Sequence, residues 1–192
     1  MRAIDLIASS FVLMIASAAI AQEHTHGAGE TSIPTPRSPY AGLQQRTIKA
    51  LADQQIADLR AGRGAGLALA AELNGYPGPS HVLELADQLA LSPDQRTQVA
   101  TAFAAMKDET SAIGRQVVSG EADLDRLFAG RMVTPENLNE TVLRIVGAQG
   151  RLRAAHLRYH LLMTTILTPE QVANYAQLRG YAPGKAGLGS GR

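Results

Sequence analysis

The side chains with the most scope for chemistry are five histidines, at positions 24, 26, 81, 156 and 160, in a chain of 192 residues that has no cysteine. Without a thiol there can be no disulfide, zinc–thiolate site, iron–sulfur cluster or cysteine nucleophile. Any metal centre must be assembled from imidazole, thioether and carboxylate groups. His156 and His160 are one helical turn apart. With Ile145 as origin and about 100° per residue, Leu138, Leu152, His156 and Met163 fall within about 20° of one line, and Val142 and His160 near 60°. The pair therefore shares an apolar stripe, with Met163 beside it. A His-x3-His spacing on one helix face can offer two imidazoles to one ion. Met163 would add a soft donor suited to copper or a borderline metal. Two helix ligands need a third and a fourth, and His81 with Glu84, at i and i+3, are the candidates. The expected ions are zinc, nickel, cobalt or copper, none of them required for folding. The same spacing also suits two metal-free imidazoles, half-buried and hydrogen-bonded at a helix or dimer interface.

The other two histidines belong to the amino-terminal segment. Arg2 precedes an almost wholly apolar run from Leu6 to Ala21 that ends Ala19-Ile20-Ala21. This pattern predicts a secretory signal peptide over 1–21, cleaved after Ala21. The run is short for a span of roughly 20 residues. No cysteine follows that could carry a lipid. The mature chain is expected to be periplasmic, with no membrane span after processing. Cleavage after Ala21 would leave Gln22-Glu23-His24 at the terminus. A free amine, two deprotonated amides and a third-position imidazole then form a square-planar set that suits Cu(II) or Ni(II). Cyclisation of the terminal glutamine would remove the amine and leave His24 and His26 in a solvated leader.

These residues must be held by helices. The 32 alanines favour helix, and the 8 aromatics are too few for a β-sandwich. The expected organisation is a disordered leader over 22–40, a helical domain over 41–182 and a disordered Gly-rich tail over 183–192. Ile48, Ala52, Ile56 and Leu59 fit one helix face, which ends at the Gly62, Gly64, Gly66 cluster. Short helices are expected over Leu67–Leu73, stopped by Asn74-Gly75 and Pro77, and around Val82, Leu83, Ala86 and Leu89. Val99, Phe103, Met106, Thr110, Ile113 and Val117 follow the 4-3-4-3-4 spacing of a long packed helix. The long helices are predicted from Pro93 to about Phe128 and from Pro135 to about Leu167, with a last short one over Val172–Leu178. No segment alternates like a strand. No Gly-rich phosphate loop follows a strand, and neither Gly-x-Ser-x-Gly nor His-Glu-x-x-His is present, so no enzyme is expected. The net charge of +1 predicts no nucleic-acid partner. Arg144, Arg151 and Arg158 recur every seven residues on a stretch without acids. They form either a solvated face or a client-facing surface that attracts unfolded chains.

Three helices open with the same chemistry: Leu91-Ser92-Pro93-Asp94-Gln95, Val133-Thr134-Pro135-Glu136-Asn137 and Leu167-Thr168-Pro169-Glu170-Gln171. The hydroxyl can cap an orphan backbone N–H, proline at N1 loses nothing by lacking its own, and the acid meets the positive helix end. The amides Gln95 and Gln171 can reach back to the cap, as in a capping box.

The first and third segments, carrying Leu91, Ser92, Pro93, Gln95 and Leu167, Thr168, Pro169, Gln171, resemble the paired LTxxQ motifs of the Spy/CpxP family of periplasmic proteins. Ser92 stands where the motif has threonine. The resemblance covers about Ala41 to Tyr181. It implies an all-α fold, a bent helical hairpin of two long helices with short flanking ones, dimerising into a cradle. The implied function is an ATP-independent chaperone or envelope-stress protein whose partners are unfolded clients or a membrane-bound stress regulator. Relatives of the ZraP and CnrX types bind heavy metals through His-rich positions, so the resemblance also implies a metal sensor or scavenger as the alternative.

Overall fold

The computed structural model describes residues 37–181. The predicted signal peptide, most of the expected leader with His24 and His26, and the expected tail lie outside the described residues. After a 3-10 turn at Leu43–Gln45, six helices follow: α1 (Asp53–Arg60), α2 (Leu69–Glu72), α3 (Pro79–Glu84), α4 (Pro93–Ala129), α5 (Pro135–Ile166) and α6 (Pro169–Leu178). The described residues contain no strand, and the fold is all-α as expected.

The three repeated start signals each open a helix, α4, α5 and α6, with proline at the first position. Ser92 Oγ accepts from Gln95 N at 3.1 Å, and the Gln95 carboxamide accepts from Ser92 N at 3.0 Å. Thr168 and Gln171 repeat the exchange at 3.2 and 2.9 Å. At the start of α5 the shorter Asn137 does the same with Thr134, at 3.3 and 2.9 Å. Leu91 and Leu167, just before the caps, are buried and staple these two starts into the core.

Helices α4 and α5 pack along their length as a hairpin. Arg144 reaches Asp123 at 2.9 Å, Arg151 donates to Gln116 at 3.0 Å, and Arg158 to Glu109 at 2.5 Å. Each step of seven forward on α5 is a step of seven backward on α4, so the helices are antiparallel and in one register. The arginine stripe therefore lies at the rim of the hairpin with each guanidinium engaged by α4, where a client-facing surface was one of the two expectations. Glycine allows the closest approaches. A Cβ on Gly114 would stand 1.9 Å from Leu59 O, where α1 crosses α4, and one on Gly120 would stand 2.7 Å from Ile145.

Two apolar clusters hold the elements. Val82, Leu89, Leu91, Val99, Met163, Leu167 and Tyr175 join α3, α4, α5 and α6 at the open end of the hairpin. Ile48, Leu51, Ile56 and Val118 join α1 and the preceding turns to α4. The amino-terminal helix is shorter than its apolar spacing predicts. Ile48 and Leu51 are buried from turns, and Ala52 is the N-cap of α1, with its amide held by the Gln55 side chain at 2.8 Å. The helix expected over Leu67–Leu73 is the single turn α2. The one expected around Val82–Leu89 starts earlier, at Pro79, and ends at Glu84.

Candidate metal centre

The segment between α1 and α3 is folded down onto the hairpin, and glycine sets its approach. At Gly62 φ is +66°, and a Cβ there would meet Thr110 Oγ1 at 2.4 Å. The Thr110 hydroxyl shares its proton between Met106 O at 2.7 Å and Gly62 O at 3.1 Å. Between this segment and the helices lies a cavity of about 550 Å³. Its walls carry His81, His156, His160, Glu72, Met106 and Lys107, with residues 62–66 along one side. All three histidines of the described residues thus reach one space, from α3 and from successive turns of α5.

The two α5 histidines are buried. His160 Nδ1 lies 2.7 Å from Tyr76 O. A carbonyl only accepts, so the proton sits on Nδ1 and the neutral ring keeps its lone pair on Nε2. That nitrogen has no protein partner among the described residues. Gly78 makes room for the ring: a Cβ there would stand 3.0 Å from His160 Cε1 and 3.2 Å from Nε2. His156 is only 3% exposed, and its Nε2 is buried without any hydrogen-bond partner. Desolvation, and secondarily the charge His160 can carry, hold the His156 imidazole below the ordinary histidine range. A buried polar atom without a partner is uncommon and calls for a functional or structural reason.

Beside them stands a buried carboxylate that sequence reasoning missed. Glu72, the last residue of α2, is 7% exposed. Its Oε1 accepts from Tyr175 Oη at 2.5 Å and Tyr181 Oη at 3.1 Å, and its Oε2 accepts from Gly78 N at 3.1 Å. Arg179 Nε lies 3.7 Å from Oε1 and balances the charge. Burial, and then the Glu72 carboxylate, push the Tyr175 phenol far above its ordinary value. His81 joins this group: Nδ1 is 3.6 Å from Glu72 Oε1 and 3.4 Å from Tyr175 Oη, while Nε2 faces Arg179 Nη2 at 3.5 Å. Both its nitrogens are therefore turned to protein groups. His160 Nδ1 is 3.7 Å from Glu72 Oε2. No group of three or more His, Asp or Glu side chains among the described residues is gathered to hold an ion, because Glu72 and His81 face one another and their neighbours.

The other expected ligands are placed elsewhere. Glu84 is exposed on α3 and accepts from Ser80 Oγ at 3.1 Å. One turn further along α3 than His81, it points away from the cavity walls. Met163 is 0% exposed within the apolar cluster under α3 and α6. The methionine on the cavity is Met106, from α4. Met106 was visible in the sequence only as a seam residue. Glu72 left one trace, a lone acid in the apolar run Leu67–Leu73. The Tyr76-Pro77-Gly78-Pro79 stretch, read as a helix stop, supplies both the Tyr76 carbonyl and the close-packed Gly78.

Compared with protein-family models, curated proteins and solved structures, the chain matches none.

Proposed function

We propose that this is an exported helical protein of the Spy/CpxP kind that binds a transition-metal ion in the histidine-lined cavity and serves as a periplasmic metal sensor or scavenger. The observation that supports this most is the pair His156 and His160: one turn apart and buried, with no hydrogen-bond partner at His156 Nε2 and with His160 Nδ1 held by the Tyr76 carbonyl. The Tyr76 carbonyl fixes the His160 tautomer from behind, as outer groups do for metal-bound imidazoles. An ion there would take a free imidazole lone pair from each ring, with a shift of the enclosed His156 ring. Glu72 and Arg179 hold the surrounding elements and leave the imidazoles as the primary donors. Calorimetric titration with zinc, nickel, cobalt and copper tests the reading. One ion should bind with micromolar or tighter affinity, and His156→Ala/His160→Ala should abolish binding. Absence of binding, or binding unchanged in the double variant, overturns it.

A second reading, the ATP-independent chaperone with its homodimer, is supported by a different feature. Val142, Leu143 and Val146 near one end of α5, and Leu161 and Leu162 near the other, are exposed apolar side chains, with Leu143 62% and Val146 56% exposed. Such exposed apolar groups can hold unfolded segments by weak contact. Stoichiometric protein should then suppress aggregation of an unfolded client, and Leu143→Asp/Val146→Asp should weaken the effect. No suppression by the unaltered chain removes this reading.

A further inference from the structure

We infer that the cavity takes a small organic acid, a single carboxylate on an apolar, aromatic body. The inference goes beyond the metal reading and does not rest on it, since it uses the open side and the apolar wall rather than the imidazoles. The cavity of about 550 Å³ has the size of a small-molecule site and is open on one side. Exposure of its lining falls from rim to floor: Arg63, Lys107 and Leu69 are exposed, Phe103 is half-buried, and Met106 and Pro79 are buried. Both cations therefore stand at the rim, and apolar surface runs from Leu69 down to the floor. The cations also leave the backbone at touching points. A Cβ on Gly62 would stand 2.9 Å from Lys107 O, and Arg63 is the next residue. Arg63 Nη1 shares its charge with Asp58 Oδ1 at 3.1 Å, whereas Lys107 has no ion-pair partner among the described residues. The carboxylate on the wall, Glu72, is already engaged by Tyr175, Tyr181 and the Gly78 amide, with Arg179 alongside. The backbone amides of Gly64 and Ala65, on the same wall, have no backbone acceptor among the described residues. Loop amides of this kind add to the hold of a cation on an anion. One unbalanced positive charge at the rim fits one carboxylate, which keeps part of its water there and escapes the penalty of full burial. Beneath it, Phe103 and the Met106 thioether offer a ring edge and a soft sulfur, a surface on which an aromatic body packs well.

The test titrates the exported chain with 4-phenylbutyrate, by calorimetry and by backbone amide NMR, with EDTA present throughout so that no metal contributes. The acid should bind at one equivalent and shift the amides of residues 62–66 and 103–107. Its neutral amide, 4-phenylbutyramide, lacks the charge, and acetate lacks the body, so each should bind at least about 10-fold more weakly. Lys107→Met keeps the apolar stem and removes the charge at an exposed position. It should weaken the acid by about 10-fold and leave the neutral amide unchanged, a contrast that a damaged fold would not give. Added salt should likewise weaken the acid and spare the amide. Absence of acid binding, equal affinity for acid and amide, shifts confined to other residues, or a Lys107→Met variant that binds the acid as the parent does overturns the inference. Each of these leaves the metal reading standing, because that reading is tested by titrating ions without EDTA.

Discussion

A carboxylate removed from water must be met by donors, and Glu72 accepts from two phenols and a backbone amide drawn from across the sequence, with the Arg179 guanidinium 3.7 Å away. Tyr175 is 103 residues away, so the bond ties α2 to α6 directly. Loss of one donor leaves a buried charge under-satisfied, at about 1–3 kcal/mol. Tyr175→Phe should therefore lower the unfolding free energy measured in urea by that much, and Glu72→Leu, which removes the charge but strands the phenols and the amide, should also destabilise. A Tyr175→Phe variant as stable as the parent would show that Glu72 is not the anchor described. The imidazoles differ from Glu72 in the opposite sense. His81 has protein groups at both nitrogens, whereas His156 and His160 each keep one without any. Residue chemistry alone thus separates a structural histidine from two ligand candidates, although all three line the same cavity.

At the scale of the elements, helix ends carry the local information. The end of α4 bonds Met132 N to Leu127 O and Arg131 N to Phe128 O, which places Arg131 in the left-handed region at φ +54°. Ala90 holds the same position after the α3 segment, and Gly180 after α6. A side chain there costs about 1–2 kcal/mol, partly offset by its effect on the unfolded chain. Arg131→Gly should therefore raise the thermal midpoint, and Gly180→Ala should lower stability by about 1 kcal/mol. The opposite order would contradict the turn geometry. At the helix starts, the backbone amide and then the cap hydroxyl hold the Glu136 and Glu170 carboxyls below the usual range. Because the folded value is the lower one, their stabilisation is complete above the ordinary carboxyl value of about 4.3 and is lost as pH falls through the folded value. Glu170→Gln should be less stable at neutral pH and should lose less of its stability on acidification to about pH 3. Denaturation midpoints that fall in parallel for both chains would refute this.

These helix starts were legible in the sequence, because Ser-Pro-Asp-x and Thr-Pro-Glu-x carry their own capping partners within four residues. The 4-3-4-3-4 apolar spacing likewise announced α4 through Val117. The amino-terminal region was not legible to the same degree. Ile48 and Ile56 are buried as the spacing suggests, but burial from consecutive turns and burial from a helix face leave the same apolar pattern. The candidate site was half legible. His156 and His160 announced themselves by spacing, while Glu72, Met106 and the Tyr76 carbonyl join them through chain separations that no local pattern records. Glu84 had the right spacing from His81, but α3 ends with it and leaves it in solvent.

In the whole molecule, two devices set where the cavity sits. Arg144, Arg151 and Arg158 fix the register of the hairpin against Asp123, Gln116 and Glu109. At the open end, Gln95 and Gln171 clasp one another: Gln95 Nε2 donates to Gln171 Oε1 at 2.8 Å, and Gln171 Nε2 donates to Gln95 Oε1 at 3.0 Å. The remaining amide protons go to Ile166 O at 2.9 Å and Leu89 O at 3.2 Å. The two copies of the motif are thus partners across the fold, which gives their repetition a structural reason beyond capping. Since each glutamine completes the other, Gln95→Ala and Gln171→Ala should be non-additive, with a coupling of about 0.5–3 kcal/mol. Additive losses would mean that each acts only as its own cap.

An ion held by His156 and His160 would change the state of a ring nitrogen on each of them. Nitrogen-15 NMR of the imidazole rings, with copper(I) or zinc added to one equivalent under anaerobic conditions, tests it most directly. A ring nitrogen of His156 and Nε2 of His160 should shift together to metal-bound positions, Nδ1 of His160 should keep its proton toward Tyr76, and His81 should stay where it was. Ring nitrogens of His156 and His160 that do not move, with either ion, would contradict it.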